Sequence, residues 1–222
     1  VNDADEDDLY DAMDWLLQRQ GHIEKKLAAR HLTEGGMALF DLSSSYFEGT
    51  KCPLAALGHN RDGKKGKLQV NYGLLTDDRG RPVSVSVFKG NTGDPKTLMP
   101  QVRKVKEDFG IKTVVLVGDR GMISQKQIDE IKGVDGLDWI TALKTDAIRK
   151  LAEDQGPLQL ELFDERNLFA FTHPDFPGER LVACRNPELR KLRGHKRKSL
   201  LEATSLELTK VRAKVGRGKL AG

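Results

Sequence analysis

Between Leu68 and Val87 apolar side chains return at every second position on both sides of a single turn. Leu68, Val70, Tyr72 and Leu74 alternate, the stretch DDRGRP interrupts, and Val83, Val85 and Val87 alternate again. A period of two is the period of a strand, and two such runs joined by Asp, Gly and Pro read as an antiparallel hairpin. The segment before it, MALFDLSSSYFEG, is a further apolar run that passes through Asp41 and continues to Phe47. Three consecutive strands follow from this, and they restrict the fold before any helix is considered.

The remaining pattern alternates helix and strand. After GNTGDPKT a helix is expected over 97–109, with Asn91 and Asp94 shaping a turn, Asp94 capping the helix and Pro95 at its first position. Val114, Val115, Leu116 and Val117 predict a central strand ending at Asp119, followed by a helix over about 124–132 and a strand in LDWITALK. The order β-β-β-α-β-α-β belongs to a mixed sheet flanked by helices, an α/β class. In front of it, Leu9, Met13, Leu16, Leu17, Ile23 and Leu27 give residues 3–32 a helical period, with a break allowed at Gly21. Beyond Thr145 a short helix to Asp154, a few strands around LFAFTHP and RLVACRN with a Pro-rich turn between them, and a basic helix over about 195–215 are expected. The chain divides into a helical segment 1–36, a core 37–145 and a less regular α+β segment 146–222. Trp15 and Trp139 fall on apolar faces and are assigned to the core.

Composition removes several classes of function. No apolar run approaches the roughly eighteen residues of a spanning helix, and the acidic N-terminus is the opposite of a secretory leader, so a cytoplasmic protein without a membrane partner is expected. Cys52 and Cys184 stand far apart with no clustered histidine, which indicates neither a zinc site nor a disulfide framework. His22, His31, His173 and His195 are isolated. The serines of DLSSSYF lack a nucleophile elbow, and no phosphate-binding Gly-rich loop with its lysine is present.

Charge is distributed unevenly. Residues 1–14 hold seven acids and no base, whereas residues 185–222 hold twelve Lys/Arg against three acids. The basic segment, with Lys196, Arg197 and Lys198 at its centre, has two readings: a polyanion footprint that releases counterions on binding, or a solvated helix with basic faces. GHNRDGKKGK places His59, Arg61, Lys64, Lys65 and Lys67 on a glycine-punctuated loop before the second strand, suited to backbone phosphates or serving only as a solvated lead-in. Arg120 either reaches a phosphate or pairs with a neighbouring acid.

Two aspartates occupy comparable places. Asp41 follows Met37-Ala38-Leu39-Phe40 on the first strand and Asp119 ends the fourth, so both carboxylates converge if those strands are neighbours. Carboxylates held close repel unless a proton or a cation intervenes, and hard Mg2+ suits such a pair better than zinc. Alternatively each is a turn or capping residue.

The blocks DLSSSYFEG, GHNRDGKKGKLQVNYGLLTDDRGRPVSVSVFKGNTGDPKT, VVLVGDRGMIS and WITALK, in this order, resemble the catalytic domain of bacterial insertion-sequence transposases of the DDE class. That family belongs to the ribonuclease-H-like, retroviral-integrase-like superfamily. The resemblance covers residues 37–145 closely and the flanks loosely. It implies a ribonuclease-H-like fold, Asp41 and Asp119 as the first two metal-binding carboxylates, and Mg2+ as cofactor with Mn2+ able to substitute. It also implies double-stranded DNA, at transposon ends and target, as substrate, a homodimer on DNA, and a nucleoid-associated location. Such chemistry is an in-line displacement in which two ions about 3.5–4 Å apart activate the nucleophile and stabilise the leaving oxygen. The family's third acid is a glutamate in a Tyr-x2-Arg-x3-Glu-x6-Lys series. Here the tyrosines are Tyr10, Tyr46 and Tyr72, and neither Glu202 nor Glu207 has that setting, so the expectation is a chain ending before the third carboxylate. Alternatives are an inactive DNA-binding or inhibitory remnant, and a different ribonuclease-H-fold nuclease.

Overall fold

The computed structural model describes residues 4–59, 63, 66–153, 158, 168–184 and 187–218. The chain separates into two compact units, Val1–Lys144 and Thr145–Gly222.

The first unit opens with α1 (Glu6–His31). It starts at a capping box in which Asp5 and Asp8 each accept the other's backbone N–H, and it runs through Gly21 without the break that the sequence allows. Then follow β1 (Gly36–Phe47), β2 (Leu68–Asp77), β3 (Pro82–Lys89), α2 (Pro95–Arg103), a π-helical turn Lys104–Asp108, β4 (Val114–Val117), α3 (Gln125–Lys132) and β5 (Leu137–Ile140). The sheet order is β3-β2-β1-β4-β5, with β1, β2 and β3 antiparallel in sequence and β4 and β5 parallel to β1. This is the ribonuclease-H-like arrangement, a mixed α/β sheet, as the order of elements in the sequence requires.

One face of the sheet makes the core. Ala38, Phe40 and Leu42 of β1 point into it and meet Leu98 and Val102 of α2, Val105 of the π-helical turn, and Ile128 and Ile131 of α3. On β2 the buried positions are Gln69, Asn71, Gly73, Leu75 and Asp77, and not the apolar alternation that marks the hairpin in the sequence. Packing explains the inversion. A side chain at Gly73 would meet the Phe40 ring at 2.5 Å, so the glycine yields its space to the phenylalanine. Gln69 and Asn71 are tied internally through their amide nitrogens: Gln69 Nε2 donates to Asn71 Oδ1 (3.0 Å) and to the carbonyls of Gly90 (2.8 Å) and His59 (3.1 Å), and Asn71 Nδ2 donates to Thr92 O (2.9 Å), while Gln69 Oε1 is buried without a hydrogen-bond partner among the described residues. Tyr72, Leu74, Val85 and Val87 lie on the opposite face and are each more than a third exposed.

The free edge of β3 is closed by α1. Gln20 Nε2 donates to Val85 O (3.0 Å), and buried Glu24 accepts from Val85 N–H (3.0 Å) and pairs with Lys104 at 2.7 Å. Side chains thus satisfy backbone groups that an edge strand would otherwise offer to another chain. Trp139 packs partly buried against the core, as its apolar setting implies. Trp15 does not. It is 55% exposed, because at about 100° per residue it lies on the side of α1 away from Met13, Leu16, Leu17 and Gln20, and its ring is covered by the Arg19 guanidinium at 4.0 Å.

The second unit contains α4 (Thr145–Leu151), a hairpin of β6 (Leu168–Phe171) and β7 (Leu181–Cys184), and the 30-residue α5 (Pro187–Gly216), longer than its basic stretch alone suggests. Cys52 and Cys184 are free thiols. Among the described residues no helix is long and apolar enough to cross a membrane.

Candidate active site

The site is built by the parallel pairing of β1 with β4. Their register runs from Gly36 opposite Val114 to Leu39 opposite Val117. Asp41 lies two residues beyond the last paired position on β1, and Asp119 two residues beyond it after β4. Residues that face each other across a ladder project to the same side. Asp41 shares that side with Leu74, its partner on β2, and is itself exposed.

Asp119 sits just past β4, where the chain leaves the sheet. Gly118 N–H still bonds Ile140 O (3.1 Å), so the backbone is held by β5 up to the residue before the aspartate. The carboxylate then organises its own turn: Oδ1 accepts from Gly121 N–H (2.9 Å) and Met122 N–H (2.8 Å). Met122 and Ile123 are buried in the core and anchor the far side of the turn. Asp41 Oδ1 accepts from Leu42 N–H at 2.9 Å. Both carboxylates are therefore oriented by backbone donors while remaining open to solvent.

A third carboxylate approaches the Asp119 turn. A Cβ placed on Gly121 would lie 3.3 Å from Asp119 Oδ1 and 3.7 Å from Asp94 Oδ2, so Asp94 and Asp119 flank the same glycine. The sequence assigns Asp94 to capping α2. In the structure it holds the N-cap position without a side-chain cap hydrogen bond, because its own backbone is already helical (φ −48°, ψ −46°) and its side chain turns away. The first turn is instead tied by Thr97, whose N–H and hydroxyl both donate to Asp94 O (3.0 and 2.7 Å). Pro95 does take the first helical position. Only the helical backbone at Asp94 separates the two outcomes, and GNTGDPKT carries no residue that announces it.

Of the basic residues, His59 and Lys67 are exposed at the two ends of the loop before β2. The loop is pinned by the Gln69 bond to His59 O and by the bridge between Ala56 and Gln69, and Lys67 pairs with Glu48 at 3.0 Å on the surface. Arg61, Lys64 and Lys65 lie outside the described residues. Arg120 is exposed beside Asp119. Lys196, Arg197 and Lys198 are exposed on α5 in the second unit, where Lys198 lies 4.0 Å from Glu202. Among the described residues no group of three His, Cys, Asp or Glu side chains is disposed to hold a metal ion.

No curated protein matches the chain. Among solved structures, the chain is similar to the piggyBac transposase in its synaptic complex with hairpin DNA (TM-score 0.38, 14% identity, 51% of this chain and 24% of that one). It is also similar to the Mos1 transposase in a paired-end complex with the left transposon end (TM-score 0.33, 11% identity, 55% and 41%). A third similarity is to a simian T-cell lymphotropic virus intasome in complex with a PP2A regulatory subunit (TM-score 0.31, 9% identity, 60% and 53%). The chain thus spans between about a quarter and about half of the length of these proteins. A family model described as the transposase DDE domain matches residues 37–215, which include all of the sheet but its first residue, both aspartates and nearly all of α5. The chain belongs to the transposase DDE domain family.

Proposed function

We propose that this chain performs metal-dependent hydrolysis and strand transfer of DNA phosphodiesters at transposon ends, with Asp41 and Asp119 as its acidic pair. The observation that supports the reading is the parallel pairing of β1 with β4, neighbours on which Asp41 and Asp119 each lie two residues past the last paired position. The donor set fits a hard divalent cation. Both side chains offer carboxylate oxygens, both are oriented by backbone N–H groups, and both are exposed. Mg2+ is commonly held by one or two carboxylates with water and substrate phosphate completing its shell, and Mn2+ accepts the same ligands. Such an ion, when bound, supplies charge neutralisation at the phosphate and a more acidic bound water.

The chain's own residues position the substrate. Arg120 and Lys67 bring positive charge toward the duplex backbone and His59 a ring N–H, with Arg61, Lys64 and Lys65 joining them by sequence, and Lys196, Arg197 and Lys198 add phosphate contacts from α5. The same proposal includes a nucleoid-associated, cytoplasmic protein acting as a homodimer on DNA. A second reading, binding of duplex DNA without cutting, is favoured by the lack of a three-acid metal group among the described residues. Incubation of a labelled duplex with Mg2+ or Mn2+ separates the two. Nicking that is lost in both Asp41→Ala and Asp119→Ala supports the first reading. Binding without nicking supports the second, and nicking indifferent to both substitutions overturns the acidic pair.

A further inference from the structure

We propose that Gln69, with Asn71 beside it, is a positioning residue that holds the basic loop before β2 in register with the segment leading to Asp94 and the Asp119 turn. The inference rests on the reading of that loop as a DNA contact, and it gives the loop a fixed base. β2 lies between β1 and β3, and its core face at this end is polar, with Gln69 and Asn71 only 1% and 5% exposed. Burying two amides is costly unless each serves partners, and an apolar pair would fill the face without that cost. What the amides do, and leucines would not, is hold the backbone of two loops.

Three acceptors crowd one nitrogen. Gln69 Nε2 lies within 3.1 Å of Asn71 Oδ1, Gly90 O and His59 O, and Asn71 Nδ2 carries the connection on to Thr92 O. A flipped Gln69 amide would set its oxygen against those three oxygens, so the observed orientation stands although Oε1 is buried with no partner among the described residues. The backbone around the amide is closed as well. Gln69 and Ala56 exchange both N–H···O bonds (2.9 and 3.0 Å), Gly90 N–H donates to Leu54 O (2.9 Å), and a Cβ on Gly58 would stand 2.0 Å from Gly90 O. The basic loop leaves at His59, whose carbonyl Gln69 holds, and returns at Lys67, two residues before Gln69, so one side chain closes its neck. On the other side Thr92 stands two residues before Asp94, whose carboxylate flanks Gly121 with that of Asp119. One hydrogen-bonded path thus joins the basic loop to the rim of the acidic site. A loop already held in place meets a polyanion without the entropic cost of being ordered by it.

A double-mutant cycle on duplex affinity, read by fluorescence anisotropy of a labelled duplex without divalent metal, tests this. Gln69→Met keeps the volume of the side chain and removes its donors. It should weaken binding about tenfold or more in the native background with unchanged circular dichroism. In a chain already carrying Arg61→Ala, Lys64→Ala and Lys65→Ala it should weaken binding no further, because the clamp acts through those cations. An equal loss in both backgrounds, or no loss in either, overturns the proposal, since a purely structural role of Gln69 would be blind to the loop's charges. A triple-alanine chain that binds duplex as the native chain does overturns the reading of the loop itself, and this inference with it. A second measurement needs no change at Gln69. In nuclear magnetic resonance spectra of the native chain the Gln69 side-chain NH2 signal should shift when duplex is added, and it should stay in place in the triple-alanine chain. A signal that duplex leaves unmoved, or moves equally in both chains, overturns the proposal even where Gln69→Met fails to fold.

Discussion

Replacing Glu24 with alanine is expected to destabilise the first unit by about 2–4 kcal/mol at neutral pH. The magnitude follows from the three groups that its carboxylate serves. Val85 N–H on the edge strand would lose its acceptor at 3.0 Å, a penalty toward the low end of about 1–3 kcal/mol because the donor is only partly buried. Lys104, paired at 2.7 Å with a side chain 20% exposed, would keep part of its hydration, so its penalty stays below the roughly 3–5 kcal/mol of a fully buried broken pair. Gln20 would lose one of its two partners. Glu24→Gln retains an acceptor for Val85 and should cost about half as much. Urea unfolding followed by tryptophan fluorescence isolates the effect, because Trp15 and Trp139 both lie in the first unit. The pH dependence adds a sign. Burial raises the Glu24 carboxyl, but hydrogen bonds from Lys104, Gln20 and Val85 N–H, with the charge of Lys104, outweigh it and hold the group below the usual glutamate range. A depressed folded value means that the stabilisation is complete above the unfolded value of about 4.3 and is lost as pH falls through the folded value. The difference between the native chain and Glu24→Ala should therefore shrink in acid. A cost under about 0.5 kcal/mol at pH 7, the ordinary range of a surface substitution, would refute the reasoning, as would a difference that grows on acidification.

Other expectations rest on single interactions. Asp119→Asn keeps an oxygen for the Gly121 and Met122 N–H groups while removing the charge, so its unfolding midpoint should match the native chain, whereas Asp119→Ala should lose about 1–3 kcal/mol in the same titration. Gly90→Ala would bring a methyl to 1.8 Å from Gln69 O and 2.8 Å from Ala56 O, and backbone cannot yield that distance. The variant should unfold with a loss of about 3 kcal/mol or more, or fail to express in soluble form. Replacing Lys196, Arg197 and Lys198 with alanine should lower the slope of log K against log salt for duplex binding by about 3 in fluorescence anisotropy, about one unit for each phosphate no longer neutralised.

Much of the fold is legible because it rests on local periodicity. The alternation around DDRGRP fixes the hairpin, and the uninterrupted apolar run Val114-Val115-Leu116-Val117 fixes β4, a central strand with no exposed position. The neighbour relation of β1 and β4 is not written in either segment. It follows from the order of elements, which leaves a parallel strand few places beside β1. What escaped the pattern is also physical. The core face of β2 is polar because Gln69 and Asn71 spend their hydrogen bonds on the loops at 59 and 90–92, so alternation located the strand and pointed to the wrong side. Trp15 looks like a core residue because it is aromatic in an amphipathic helix, although it lies off the stripe of Met13, Leu16, Leu17 and Gln20 and is exposed. Asp94 looks like a cap because the residue type is right, and its backbone dihedrals alone turn the carboxylate toward Gly121.

Convergence of Asp41 and Asp119 on one cation is the central claim, and electron paramagnetic resonance titration with Mn2+ addresses it most directly. Native chain, Asp41→Asn, Asp119→Asn and the double variant would be compared for free Mn2+ at equal protein concentration. A shared site predicts that each single substitution removes most of the binding and that the double removes no more than either alone, the non-additivity of residues acting as one unit. Losses that add independently, or Mn2+ binding unchanged in all three variants, would contradict a common site at the mouth of β1 and β4.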